Sequence, residues 1–159
     1  MSAVEEFAEQ TAATLTAAGF PPMPARVLLA LMVTENASLT AEELASRLGA
    51  SPAAISGAVR YLQSIAIIRR HTVPGSRRHL YELPDHFWYA TSNSQVPLYT
   101  HLIGLAEKGA EAMDPESRVR TRVEDMASYF RFIRERMPAL MNEWMASRVA
   151  SENEASDTA

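Results

Sequence analysis

The sequence predicts a mainly α fold with one small β-hairpin. Three observations predict it. Apolar residues recur at three- and four-residue spacing over most of the 159 residues. A β-branched, arginine-rich stretch near residues 67–83 breaks that rhythm around a Pro-Gly-Ser turn. Residues of the N-cap type stand directly before several of the apolar-periodic runs.

Residues 3–18 are predicted helical, with Val4, Phe7, Ala8, Thr11, Leu15 and Ala18 on one stripe and Gly19 as the stop. Pro21-Pro22 demands an extended link. A second helix is predicted over 24–35, with Pro24 in its first turn and Val27, Leu28, Leu31 and Met32 as its apolar stripe. A third, over 40–48, has the reciprocal capping pattern of Thr40 and Glu43 and ends at Gly49. Ser51 then caps a fourth helix, with Pro52 at its first position, running to about Ser64. Ile55, Val59 and Leu62 face inward; Ala53, Ser56, Gly57, Arg60 and Gln63 face outward.

Two short helices joined by a tight Gly-containing turn form a helix-turn-helix. The outward face of its second helix is unusual, because a purely solvated face favours Lys and Glu. Small residues let a backbone approach a partner closely. For Gly57 a second reading stands beside this one, relief of crowding against a neighbouring helix. Ile67–Val73 and Arg77–Leu83 are predicted strands around Pro74-Gly75-Ser76, giving a hairpin with an arginine-rich tip. Three helices followed by such a hairpin make a winged helix-turn-helix.

Beyond Pro84-Asp85, residues 85–112 are predicted mainly helical, broken near Thr91–Ser94 and Pro97. A long helix is predicted with Asp114 as cap and Pro115 at N1, kinked at Pro138 and reaching about Arg148. Val119, Val123, Met126, Phe130, Ile133, Met137, Leu140, Met141 and Trp144 line it. The resulting organisation is an N-terminal dimerisation helix at 1–20, a winged domain at 21–84, long dimerisation helices at 85–149 and a disordered acidic tail at 150–159.

The whole-chain charge of −4 argues against nucleic acid, but its distribution reverses that reading. Residues 55–83 hold Arg60, Arg69, Arg70, Arg77 and Arg78 against Glu82 alone, between two acidic blocks. Fourteen of the fifteen basic residues are arginine, which suits bidentate contact with phosphate and guanine. The chain has no cysteine, so disulfides and thiolate chemistry are excluded. The longest apolar run is the seven residues Val27–Val33, far short of the roughly 20 needed for a membrane span. Glu5, Glu6 and Glu9 stand where a signal peptide is basic, so the cytosol is the expected location.

The ordered segments Phe20-Pro21-Pro22-Met23-Pro24-Ala25-Arg26-Val27, Leu39-Thr40-Ala41-Glu42-Glu43-Leu44-Ala45, Ser51-Pro52-Ala53-Ala54-Ile55-Ser56, Arg60-Tyr61-Leu62, Val73-Pro74-Gly75-Ser76-Arg77-Arg78 and Asp85-His86-Phe87-Trp88 resemble the MarR superfamily of transcriptional regulators, and within it the GbsR-like branch. The resemblance implies a two-fold dimer with a recognition helix in each major groove and a wing near the minor groove. It also implies a small-ligand site between the DNA-binding lobe and the dimer layer. Ser76 departs from the Asp that many members carry before the wing arginine.

On this reading the partners are a pseudo-palindromic DNA duplex, a second copy of the chain and a small effector. Expected DNA contacts are Ser51, Pro52, Ala53, Ser56, Gly57, Arg60, Arg69, Arg70, Arg77 and Arg78. Expected ligand contacts are Met23, His86, Phe87, Trp88, Tyr89, Tyr99 and His101, whose competing reading is plain core. No enzyme constellation or cofactor site stands out. The four histidines offer no pair at i, i+4, so no metal site is expected. The rival function is a winged helix that binds another protein, not DNA.

Overall fold

The computed structural model describes residues 2–72, 75, 78–85, 87 and 96–157, the last seven by their backbone alone. The chain divides into two compact units, Met1–Thr91 and Ser92–Ala159.

In the first unit, α1 (Ala3–Ala17) starts at a capping box. The Ser2 hydroxyl accepts from the Glu5 N–H, and the Glu5 carboxylate accepts from the Ser2 N–H. Gly19, at φ +98°, closes it. Helix α2 (Pro22–Met32) begins two residues before the expected start, with Pro22 in the first turn, and ends three residues early. There the Thr34 hydroxyl donates to the Ala30 carbonyl, and Ala37 turns the chain at φ +47°. Pro24, Ala25 and Val27 through Leu31 are all buried, so α2 is the central helix of the unit.

Strand β1 (Ser38–Thr40) was not expected. Its paired residues are 40 to 44 positions away in sequence, so no local pattern announces it. Helix α3 (Ala41–Leu48) follows directly and ends at Gly49, φ +59°. Helix α4 (Pro52–Ser64) is capped by Ser51, whose hydroxyl accepts from the Ala54 N–H at 3.2 Å. Leu28, Leu29, Leu31, Leu44, Ile55, Val59 and Leu62 are fully buried and knit α2, α3 and α4 into one core.

Strands β2 (Arg69–Thr72) and β3 (His79–Glu82) complete an antiparallel sheet of order β1-β3-β2. Both are shorter than expected but lie within the expected spans. Thr40 pairs with Leu80, and Arg69 with Glu82. Of the expected turn, Gly75 is described, at φ +77°.

The second unit is a helical hairpin of α5 (Val96–Glu111) and α6 (Arg118–Asp157). Ile103, Ala106, Ala110 and Ala127 are buried. Tyr99 stacks on Phe130 with ring centroids 5.3 Å apart, and Glu107 pairs with Arg131 at 2.6 Å. The Arg134 guanidinium donates to the Thr100 hydroxyl at 3.5 Å, so the lower-numbered Thr100 meets residue 134 while Glu107 meets residue 131, and the helices run antiparallel.

Two expectations need correction. Asp114 does not cap the long helix. It accepts from the Glu116 N–H within a turn, and Ser117 is the cap, its hydroxyl accepting from Val119 N–H at 3.0 Å. Pro115 sits in that turn. The helix also continues to Asp157, through Pro138 and through most of the expected disordered tail. Ala150, Glu152, Glu154 and Ala155 are good helix formers, and no Gly or Pro follows Pro138.

Candidate nucleic-acid interface

The turn from α3 to α4 places the recognition segment. Gly49 takes the left-handed conformation that ends α3, and the Ala50 N–H donates to the Ala45 carbonyl. Ser51 then starts α4, with its hydroxyl and carbonyl accepting the N–H groups of Ala54 and Ile55. With Ile55, Ala58, Val59 and Leu62 buried, the opposite face is fixed outward. Ser51, Pro52, Ala53, Ser56, Gly57 and Arg60 are all exposed, as the helical period requires. Gln63, also assigned outward, is half-buried. The Arg60 guanidinium lies along the helix, its Nε donating to the Ser56 carbonyl at 3.2 Å.

Gly57 has open space around it: apart from its own stretch of helix backbone, no described atom lies within 4 Å of the position a Cβ would take. Crowding against a neighbouring helix is therefore excluded as its reason.

Every residue of β2 is exposed. Alternation along the strands puts Arg69, His71, Leu80 and Glu82 on one face, and Arg70 with Tyr81 on the other. Glu82, the one acidic residue of the basic block, lies opposite Arg69 in the register and bonds to His71 through Oε2 and Nε2. Arg78 is paired with Glu42 of α3, Nη2 to Oε2 at 3.5 Å. Sequence reasoning missed that contact, because it depends on the β1–β3 pairing. Arg77 lies outside the described residues.

The described residues of the expected ligand site fall in both units. Phe87 is 6% exposed and belongs to the core of the first unit, with Met23 packed against that core. In the second unit Tyr99 is half-buried on Phe130, and His101 is exposed beside an open groove with Val96, Pro97, Thr100, Gly104 and Leu105. His86, Trp88 and Tyr89 lie outside the described residues. A cleft of about 300 Å³ that sequence reasoning did not anticipate lies between α1, α2 and α3, with Ala12, Leu29 and Ala30 as its floor and Glu9, Arg26 and Arg47 among its walls. Among the described residues, no three metal-ligating side chains stand together, and no helix is long and apolar enough to cross a membrane.

Comparison with known proteins agrees with this geometry. The MarR family profile matches residues 18–79, and the profile of MmpR5-like MarR family transcriptional regulators matches residues 86–147. The HTH-type transcriptional regulator MmpR5 of Mycobacterium tuberculosis is 28% identical over 130 residues, spanning 79% of each chain. A crystal structure of a transcriptional regulator superposes with a TM-score of 0.82 at 23% identity, over 91% of this chain and 99% of that one, which shows the shared fold. Sco3205, a MarR family regulator of Streptomyces coelicolor solved in complex with DNA, is more distant, with 21% identity and a TM-score of 0.42 over 86% of this chain and 93% of that one. The chain belongs to the MarR family of winged-helix transcriptional regulators.

Proposed function

We propose that the chain is a dimeric, sequence-specific DNA-binding repressor. The observation that carries this reading is the outward face of α4. It begins at a helix N-terminus, is built of Ala53, Ser56 and an uncrowded Gly57, and ends in Arg60. Such a face lets a helix lie deep in the major groove, with N-terminal N–H groups near a phosphate and Arg60 within reach of guanine. Arg69 and Arg70 on β2 and Arg78 just before β3 add phosphate contacts, and Arg77 reads the minor groove.

Dimerisation is supported by apolar side chains left in water. Val119, Met126, Ile133 and Leu140 recur every seven residues on α6, and three of them are about half exposed or close to it. Val4 and Phe7 on α1 are also half exposed. A dimer spaces two recognition helices about one turn of DNA apart, matching a pseudo-palindromic operator. The family resemblance assigns Met23, His86, Phe87, Trp88, Tyr89, Tyr99 and His101 to a small effector that alters DNA affinity by binding one state better. Placement in the GbsR-like branch rests on the sequence segments alone.

A mobility-shift assay with duplex from the gene's own upstream region tests the reading. A shift that survives non-specific competitor is expected. No shift on any duplex would favour the protein-contact alternative.

A further inference from the structure

The start of α3 carries two adjacent carboxylates with different work. Glu43 is engaged by Thr40, accepting from its backbone N–H at 2.7 Å and its hydroxyl at 2.8 Å. These bonds hold the Glu43 pKa below the usual glutamate value, and the field of Arg78 adds to the lowering. Glu42 takes no part in the cap. Its partner among the described residues is Arg78, at 3.5 Å.

Topology brings that pair together. β1 ends at Thr40, opposite Leu80 of β3, and the antiparallel sense of the pairing continues residue 42 toward residue 78. The first turn of α3 thus stands beside the segment where the chain returns from the wing. The two side chains are 76% and 69% exposed, and an ion pair so exposed adds little to stability. What it does supply is direction. A restrained arginine loses less rotamer freedom when it meets a ligand.

We propose that Glu42 is a positioning residue: it holds the Arg78 guanidinium at the base of the wing so that it meets one place on a bound duplex, setting selectivity more than overall affinity. The inference rests on the DNA-binding reading above.

The test uses the full chain. Wild-type protein first enriches a duplex from a randomised library. That duplex and poly(dI-dC) then serve as specific and non-specific probes for wild type, Glu42→Gln, Arg78→Ala and the double variant. Glu42→Gln leaves the Thr40–Glu43 cap intact, and a thermal melt checks its folding. The expected result is a fall of about fivefold in the specific-to-non-specific ratio for Glu42→Gln, the scale of one exposed ion pair. Arg78→Ala should also cost less selectivity in the Glu42→Gln background than in wild type. Removing a negative charge without loss of positioning would strengthen both affinities by one factor. An unmoved ratio, or additive effects in the double variant, therefore overturns the role of Glu42 while leaving DNA binding standing. If wild type enriches no duplex at all, the DNA-binding reading falls and the inference falls with it.

Discussion

The Glu43 carboxylate accepts hydrogen bonds from the backbone N–H and the hydroxyl of Thr40, while the Thr40 hydroxyl accepts from the Glu43 N–H at 3.2 Å. Helix α3 has only eight residues, too few to persist without its cap and packing. Thr40→Ala is expected to cost about 1 kcal/mol, read as a lower urea midpoint at constant slope. The loss should depend on pH. The folded-state pKa of Glu43 is lowered by these same bonds, so its contribution is fully present above the unfolded-state value. It is lost as pH falls through the folded-state value. Urea curves at neutral and at acid pH should therefore show the gap between wild type and Thr40→Ala narrowing in acid. A constant gap would mean that the bond from the Thr40 hydroxyl to the charged carboxylate adds nothing to the cap.

That capping box was legible in the sequence because all its parts lie within four residues. The same holds for Ser51-Pro52 and Gly49, and for the inward stripe of α4, which is fixed by a 3.6-residue period. Features set by distant partners were not legible. β1 exists because β3 lies beside it, and the Glu42–Arg78 pair exists because of that register. The start of α6 was misplaced because Asp114 and Ser117 both have cap chemistry, and only the turn geometry chooses Ser117. Of the interface, the exposed face of α4 was readable from periodicity. A ligand site was not, since buried aromatics such as Phe87 look alike in a core and in a binding site.

Gly57 and Gly49 should respond to alanine with opposite signs. Gly57 lies inside α4, is exposed and has open space around its Cβ position. Alanine there should stabilise the fold by roughly 0.5–1 kcal/mol through helix propensity. Gly49 sits at φ +59°, where a Cβ is strained even without a neighbour, so Gly49→Ala should destabilise by roughly 1 kcal/mol. Thermal melts of the two variants measure both effects. On the proposed function, Gly57→Ala should also weaken DNA binding. A variant that is more stable and binds DNA unchanged would show that the backbone of α4 does not approach the bases there.

Arg60→Ala separates base reading from phosphate contact. The residue is exposed and, among the described residues, bonds to its own helix through the Ser56 carbonyl, so the melting temperature should hardly move. If Arg60 reads a guanine, affinity for the enriched duplex should fall by roughly 1–3 kcal/mol, and preference at one base pair should relax. If it contacts a phosphate, binding should weaken on all sequences and the salt slope should fall by about one. Titrations at several salt concentrations on the enriched and a scrambled duplex distinguish the two.

Leu140 tests the dimer. It is 56% exposed on α6, six residues past Arg134, which bonds to Thr100 of α5, and stands seven residues from Ile133 and fourteen from Met126. At about 1.5 Å per residue, α6 is roughly 60 Å long against 24 Å for α5, so much of its apolar stripe has no cover from α5. A stable dimer buries about 1,200–2,000 Å² in total, and a stripe of this length can supply a large part of its share. A carboxylate placed in that seam must lose its water without gaining a partner. Leu140→Glu should therefore shift the chain from dimer to monomer in sedimentation at micromolar concentration. It should weaken operator binding in parallel, because two recognition helices are no longer joined. A dimer that persists unchanged would place the subunit contact elsewhere than on this stripe.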